Sequence, residues 1–307
     1  MPDVRSSDDN RLSSPPSGRV AVLGLGTMGQ GIALVCAKNG FDTHVFEIDA
    51  ARAARAHEAL RAKIERMCER EKLPPSAARA MGERIVVAAH LEEACAGAEF
   101  VIEAIPESLE QKAELLARAK NAAPAEAVLA SNTSGLSITE LGRRAGEPHR
   151  VLGLHFFNPP TAMELIEVVV GAETLAPNVE RAVVFARSLG KTPIVVRDSP
   201  GFATSRLGVT LGVEAMRMVE EGVASVADID RAMELGYRHP MGPLKLTDLV
   251  GLDVRLAILE HLTQQIGERF RPPALLRKLV TMGRLGKKAG IGFYRWTESG
   301  PVPEAWE

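Results

Sequence analysis

Arg19-Val20-Ala21-Val22-Leu23-Gly24-Leu25-Gly26-Thr27-Met28-Gly29-Gln30-Gly31 is the stretch on which the fold turns. It reads as a buried strand, a glycine turn and the start of a helix. Gly24, Gly26 and Gly29 have G-x-G-x-x-G spacing, with Thr27 and Met28 inside the turn. Gly24 allows the tight turn, Gly26 lets backbone approach a pyrophosphate, and Gly29 lets the helix pack on the strand. The free N–H groups and the positive end of the helix dipole then face anionic phosphates. Glycine triplets also occur in ordinary turns. Here an apolar β run precedes the triplet and an apolar helix, Gly31 to Lys38, follows it.

Working outward, Thr43 to Ile48 reads as a second buried strand. It carries Glu47, 23 residues beyond Gly24, where a ribose-binding acid belongs. A carboxylate there accepts hydrogen bonds from the adenosine ribose and repels a 2′-phosphate, so NAD is expected rather than NADP. Asp49 opens a long, Arg- and Lys-rich helix to about Lys72, closed by Pro74-Pro75. Strand-like runs follow at Ile85–Ala88, Phe100–Ile105, Ala127–Ser131, Val151–Phe157, Leu165–Val170 and Thr192–Val196. Helical stretches at Leu109–Asn121, Ile138–Arg144 and Ala176–Leu189 separate most of them. This alternation predicts an α/β fold: a doubly wound, mostly parallel sheet of Rossmann type whose ligands sit at the carboxyl ends of the strands.

After Arg197 the pattern changes, with no convincing strand to the end of the chain. Ala203–Glu221 carries Leu207, Leu211, Ala215 and Met218 at helical spacing. Ser225 with Asp228 caps a second helix that Gly236 ends. Leu244–Leu252 and Arg255–Ile266 read as further helices. The expected organisation is a disordered tail at residues 1–17, a Rossmann-type domain at 18–197 and an all-α domain at 198–307.

The 307 residues are 46% apolar and 25% charged, with a formal net charge of −2. Such a balance gives no electrostatic case for nucleic acid or a membrane surface as partner. Cys36, Cys68 and Cys95 are scattered, which suggests neither a disulfide frame nor a metal site. No apolar run reaches transmembrane length. Residues 1–17 lack the apolar core of a signal peptide, and the expected location is the cytoplasm.

Three stretches fall at strand ends. Glu107 follows a strand that stops at Pro106. Ser131-Asn132-Thr133-Ser134 groups four hydrogen-bonding side chains. His155 lies in an apolar strand before two Phe and a Pro pair, and Glu167 sits in the next apolar run. A carboxylate there is costly unless paired, and pairing with His155 would orient the ring. A general base held by a carboxylate suits removal of an alcohol proton, and NAD alongside implies hydride transfer. A purely structural pair is the other reading of the same residues.

Together these motifs resemble the NAD-dependent 3-hydroxyacyl-CoA dehydrogenase family, in particular its bacterial 3-hydroxybutyryl-CoA members. The matching stretches are VLGLGTMGQGIA, VIEAIPESLEQK, ASNTSGLSIT, GLHFFNPPTAMELIEVV, DSPGF with Arg206, HPMGPLKLTDLVGLD and GKKAGIGFY. The resemblance implies oxidation of a short-chain (S)-3-hydroxyacyl-CoA by NAD. It makes His155 the base, Glu167 its orienting partner and Ser134 a donor to the reacting oxygen. It sets Glu107, Lys112, Asn158 and Lys288 along the NAD site, and Lys63 and Arg70 near CoA. It makes the second domain the substrate-binding and homodimerisation domain. One departure stands out: Ser205 occupies the position where the family usually has Asn, a donor to the substrate carbonyl. A dehydrogenase of a free hydroxy acid, of sugar-acid or carnitine type, and a catalytically silent NAD-binding relative are the competing readings.

Overall fold

A computed structural model of the chain describes residues 18–304. The tail read at residues 1–17 lies outside the described residues. The described chain divides into two compact units, the first ending at Asp198 and the second starting at Ser199.

In the first unit, Val20 to Leu23 of β1 (Arg19–Leu23) have no exposed surface. A strand so uniformly apolar is stable only when covered on both faces. The other strands are β2 (Asp42–Phe46), β3 (Ile85–Val87), β4 (Ala98–Glu103), β5 (Val128–Ser131), β6 (Val151–Phe156), β7 (Leu165–Val170) and β8 (Thr192–Arg197). They form one eight-stranded sheet in the order β3-β2-β1-β4-β5-β6-β7-β8. Neighbours are parallel except β6 with β7. The helices of this unit are α1 (Thr27–Lys38), α2 (Ala50–Glu71), α3 (Pro75–Arg84), α4 (Leu91–Cys95), α5 (Leu109–Ala122), α6 (Ile138–Ala145) and α7 (Ala176–Ser188). One apolar cluster joins Val22, Ile32, Val45, Leu60, Phe100 and Phe185, and the Phe100 and Phe185 rings stack at 4.2 Å.

The chain runs from β1 to β2 and β3 on one side, then crosses back to β4 on the other. This reversal opens a crevice beyond the carboxyl ends of β1 and β4, where doubly wound sheets bind ligands. The strand ends are level: Leu23 pairs with Phe46 and Glu103, and Glu103 with Ser131. Backbone bonds continue one residue further, from Gly24 N to Phe46 O at 2.8 Å, Ala104 N to Leu23 O at 2.8 Å and Asn132 N to Glu103 O at 2.9 Å. The turns that carry the polar side chains therefore leave a common shelf.

Pro74-Pro75 does more than close a helix. The α2 helix stops at Glu71 with Lys72 left-handed (φ 54°), and Pro75 is then the first residue of α3. Proline suits that position because its missing N–H would have had no partner there.

The second unit contains α8 (Thr204–Glu220), α9 (Val226–Arg231), α10 (Pro243–Val250), α11 (Leu252–Ile266) and α12 (Ala274–Thr281). Ser225 accepts a hydrogen bond from Asp228 N at the start of α9, and a π-helical turn, Ala232–Gly236, follows. Two expectations are corrected. The unit is helical but not all-α, because β9 (Tyr294–Thr297) and β10 (Gly300–Pro303) form an antiparallel hairpin. The buried face of α8 also differs: Val209, Val213 and Met216 lie in the core beside Ala215, whereas Leu207 is 66% and Leu211 44% exposed. Apolar residues ring much of α8, so helical spacing alone does not choose between its faces.

Two fully covered carboxylates join the hairpin to the helices. Asp248 accepts from Phe293 N, Tyr294 N and Trp296 Nε1 at 2.9, 2.9 and 3.0 Å. Asp230 accepts from Leu244 N and Lys245 N, at the start of α10, and from the Tyr294 hydroxyl at 2.8 Å. Asp248→Ala removes the acceptor of three donors, two of them buried, and each buried loss costs about 1–3 kcal/mol. Its urea midpoint, followed by tryptophan fluorescence, should fall well below that of the parent chain. An unchanged midpoint would mean that these bonds do not hold the hairpin.

Candidate active site

The crevice begins with the glycine turn. Gly24 has φ +99°, a conformation that side-chain-bearing residues rarely adopt. A Cβ on Gly29 would lie 1.8 Å from the Gly24 carbonyl oxygen, so only glycine lets α1 start this close to β1. Around Gly26 a Cβ would meet nothing within 4 Å. Helix α1 has no side-chain cap and no acidic residue in its first turn. Its amino end, including the N–H groups of Thr27 and Met28, is thus suited to phosphate.

Beside the turn lies a cavity of about 600 Å3, bordered by Gly24, Thr27, Glu47, Arg52, Ile105 and Arg118 among others. Glu47 is fixed at its edge. Leu25 N donates to its Oε2 at 3.2 Å and Asp49 N to its Oε1 at 3.3 Å, while Arg52 Nη1 stands 3.7 Å from Oε1. The cavity has room for a dinucleotide, and Gly26 and Glu47 are the residues that could hold its pyrophosphate and adenosine ribose.

Next along the shelf, Glu107 accepts from Thr133 Oγ1 at 2.5 Å and from Ser134 N at 3.2 Å. It is therefore more than a helix-end carboxylate: it tethers the turn that bears Ser134. Lys112, expected to line the cofactor site, is only 1% exposed. Its ammonium donates to Glu103 Oε1 at 2.7 Å and to Ile105 O at 3.0 Å, and lies 3.4 Å from Glu107 Oε2. It reaches the crevice through Glu107 and Ile105 rather than by its own exposed surface.

The reversed strand β7 brings Glu167 directly opposite His155 on β6. Residues so paired project from the same face of the sheet. His155 Nδ1 lies 2.7 Å from Glu167 Oε2, with Glu167 fully buried and His155 7% exposed. The Phe157 ring stands 4.5 Å from the imidazole. Asn132 Oδ1 accepts from Phe156 N at 2.8 Å, which joins the Ser134 turn to the histidine strand.

A second cavity, of about 350 Å3, is bordered by Thr27, Lys63, Arg66, Arg70, Asn158 and Thr161, among other residues. Lys63 Nζ donates to Gln30 Oε1 at 2.6 Å. Burial, aided by the Arg66 charge, holds the Lys63 ammonium below the usual lysine range. Lys63 and Arg70 of the basic helix therefore share a pocket with Asn158. Ser205 lies half-buried in the first turn of α8, and Lys288 pairs with Asp253 at 2.6 Å, both within the second unit. All three cysteines are buried and free, and burial pushes the Cys36 and Cys95 thiols upward, Cys95 to about 12.

Four contributors were not singled out from sequence. Arg66 was one cation among many on α2. Asn132 and Thr133 appeared only as members of a polar turn. Glu103 stood inside the apolar run Phe100–Ile105, where a lone carboxylate was itself the available signal.

Comparison with known proteins agrees with this architecture. Residues 19–199 match the family model described as 3-hydroxyacyl-CoA dehydrogenase, NAD binding domain. Residues 201–296 match that described as 3-hydroxyacyl-CoA dehydrogenase, C-terminal domain. The chain belongs to the 3-hydroxyacyl-CoA dehydrogenase family, and its first unit carries that family's NAD-binding domain. It is 40% identical over 281 residues to a probable 3-hydroxybutyryl-CoA dehydrogenase of Bacillus subtilis, covering 91% of this chain and 98% of the relative. It is also 40% identical over 279 residues to the 3-hydroxyadipyl-CoA dehydrogenase of Escherichia coli, covering 90% of this chain and 58% of that longer protein. Among solved structures, (S)-3-hydroxybutyryl-CoA dehydrogenase from Ralstonia eutropha superposes with a TM-score of 0.87 at 34% identity, over 91% of this chain and 99% of that one.

Glu47→Ser tests the expected ribose contact. It removes the charge that opposes a 2′-phosphate and releases Arg52 from its carboxylate. The preference for NADH over NADPH, measured as a ratio of dissociation constants, should fall by at least about tenfold. An unchanged ratio would exclude Glu47 from cofactor selection.

Proposed function

We propose that the chain is a cytoplasmic, homodimeric enzyme that oxidises a short-chain (S)-3-hydroxyacyl-CoA, with 3-hydroxybutyryl-CoA as the simplest substrate, to the 3-oxoacyl-CoA. The observation that carries this reading is the buried His155–Glu167 pair at 2.7 Å, in the same sheet whose β1 and β2 lead into the glycine turn and Glu47. Glu167 holds Nδ1, so proton transfer falls to Nε2. His155 takes the C3 hydroxyl proton as the C3–H bond breaks, and Glu167 stabilises the imidazolium that forms. NAD, when bound, supplies the acceptor for the hydride. Ser134 donates to the reacting oxygen, and Glu107 steadies its turn through Thr133 Oγ1 and Ser134 N. In the reverse direction the imidazolium returns the proton to the ketone oxygen.

The cluster of Lys63, Arg66 and Arg70 around one cavity favours a CoA ester over a free hydroxy acid, since CoA brings phosphates for these cations to hold. Retention of Ser134, His155 and Glu167 favours an active enzyme over a silent relative. The exposed apolar residues Leu207, Leu211, Leu249 and Val250 of the second unit support dimerisation through that unit.

His155→Gln and Glu167→Gln should each lower kcat with 3-hydroxybutyryl-CoA and NAD by about 10²- to 10⁴-fold, with NADH binding retained. Turnover near the parent value in either variant would remove its assigned role. Ser205 supplies one hydroxyl donor to the substrate carbonyl in this reading. Ser205→Ala should lower kcat by up to about 10²-fold without changing the NADH dissociation constant; an unaltered kcat would take Ser205 out of the mechanism.

A further inference from the structure

Glu103 is the last residue of β4 and has no exposed surface. Removing a carboxylate from water costs several kcal/mol unless its lone pairs are answered. Three donors converge on it: Ile105 N at 2.6 Å and Lys112 Nζ at 2.7 Å on Oε1, and Ser131 Oγ at 2.6 Å on Oε2. An amide N–H and an ammonium have no lone pair to receive a carboxylic acid proton. The arrangement therefore suits the ionised form. Burial pulls the Glu103 carboxyl upward, and the Lys112 charge opposes that pull.

The bonds continue outward and close on themselves. Lys112 Nζ approaches Glu107 Oε2 at 3.4 Å, and Glu107 Oε1 accepts from Thr133 Oγ1. Thr133 N donates to Ser131 Oγ at 3.2 Å, and Ser131 Oγ donates back to Glu103. Ser134 N hangs from this ring at Glu107, and Ile105, which borders the 600 Å3 cavity, is held at both its N–H and its carbonyl. If Glu103 and Lys112 only filled the interior, an apolar pair of similar volume would serve as well or better. What an apolar pair lacks is the onward reach to Glu107 and Thr133.

We propose that Glu103 is a positioning residue of the dehydrogenase site: through Lys112 and Ser131 it sets where Glu107 and Ser134 stand against the bound nicotinamide. The inference rests on the oxidoreductase reading above. Neither Glu103 nor Lys112 touches substrate in this account, and the effect is transmitted by the ring of hydrogen bonds.

The test is a double-mutant cycle on the full-length chain with Glu103→Gln, Lys112→Met and the two combined. Melting temperature, NADH dissociation constant, and kcat and KM for acetoacetyl-CoA are measured for each. Glu103→Gln keeps an acceptor for Ile105 N but removes the charge that fixes Lys112. Its kcat should fall by about 10²-fold, the scale of a small misplacement, while KM for the acyl-CoA stays within about threefold. NADH should bind more weakly. The double variant should be no worse than the poorer single variant, because both break one relay.

A folded Glu103→Gln enzyme with the parent kcat and NADH affinity would overturn the proposal. So would losses that multiply in the double variant, which would mark two independent structural effects. If Glu103→Gln does not fold, Lys112→Met decides by the same readouts. If the parent chain itself fails to turn over acetoacetyl-CoA, the oxidoreductase reading fails. The NADH affinities would still report whether Glu103 sets the nicotinamide end of the crevice.

Discussion

The chemistry proposed for this fold depends on one buried contact, His155 Nδ1 to Glu167 Oε2 at 2.7 Å. That contact exists because β7 runs against β6 in a sheet whose other neighbours are parallel. An antiparallel pair sets residues directly opposite on one face, and here the register aligns the carboxylate with the imidazole. A shift of one residue would turn Glu167 to the other face. The segment that makes the reversal is itself fastened: Lys191 Nζ donates to Pro160 O and Met163 O, both at 2.7 Å. Gly31 supports the same segment from α1, since a Cβ there would meet Pro160 at 2.7 Å. The helix that begins at the glycine turn and the loop that follows His155 are thus packed together.

A second consequence follows from the level strand ends. Gly24, Glu47, Ala104 and Asn132 each lie one residue beyond a strand, so the sheet register brings their turns side by side. Short polar side chains then complete the assembly. Asn132 reaches Phe156, Thr133 reaches Glu107, and Glu103 holds the base of the turn from below. Placement is shared between backbone register, which brings the turns together, and buried hydrogen bonds, which fix their height. The second unit follows similar logic without a large sheet, with Asp230 and Asp248 gathering donors from helices and hairpin.

The first unit was largely readable because its signals are local and strong. Apolar strands buried on both faces, glycines at fixed spacing, and Glu47 at the next strand end all leave marks in the chain. His155 and Glu167 were legible as a pair because an isolated carboxylate in an apolar strand demands a partner. Features set by packing were not readable. Helix α8 is apolar on two sides, and tertiary contacts, not periodicity, bury Val209 and Val213 while leaving Leu207 and Leu211 exposed. The β9–β10 hairpin is short and carries Pro301 and Pro303, so its strand pattern is weak. The family resemblance set Lys112 along the NAD site, and nothing local in an ordinary helix reveals that its ammonium is held by Glu103.

In the proposed reaction this site removes a hydride from C3 of an acyl-CoA ester while His155 takes the hydroxyl proton. The most direct measurement supplies (S)-3-hydroxybutyryl-CoA deuterated at C3 together with NAD and examines the reduced cofactor by mass spectrometry. One deuterium per turnover should appear in NADH as acetoacetyl-CoA forms. Formation of acetoacetyl-CoA with unlabelled NADH, or no NADH at all, would contradict it.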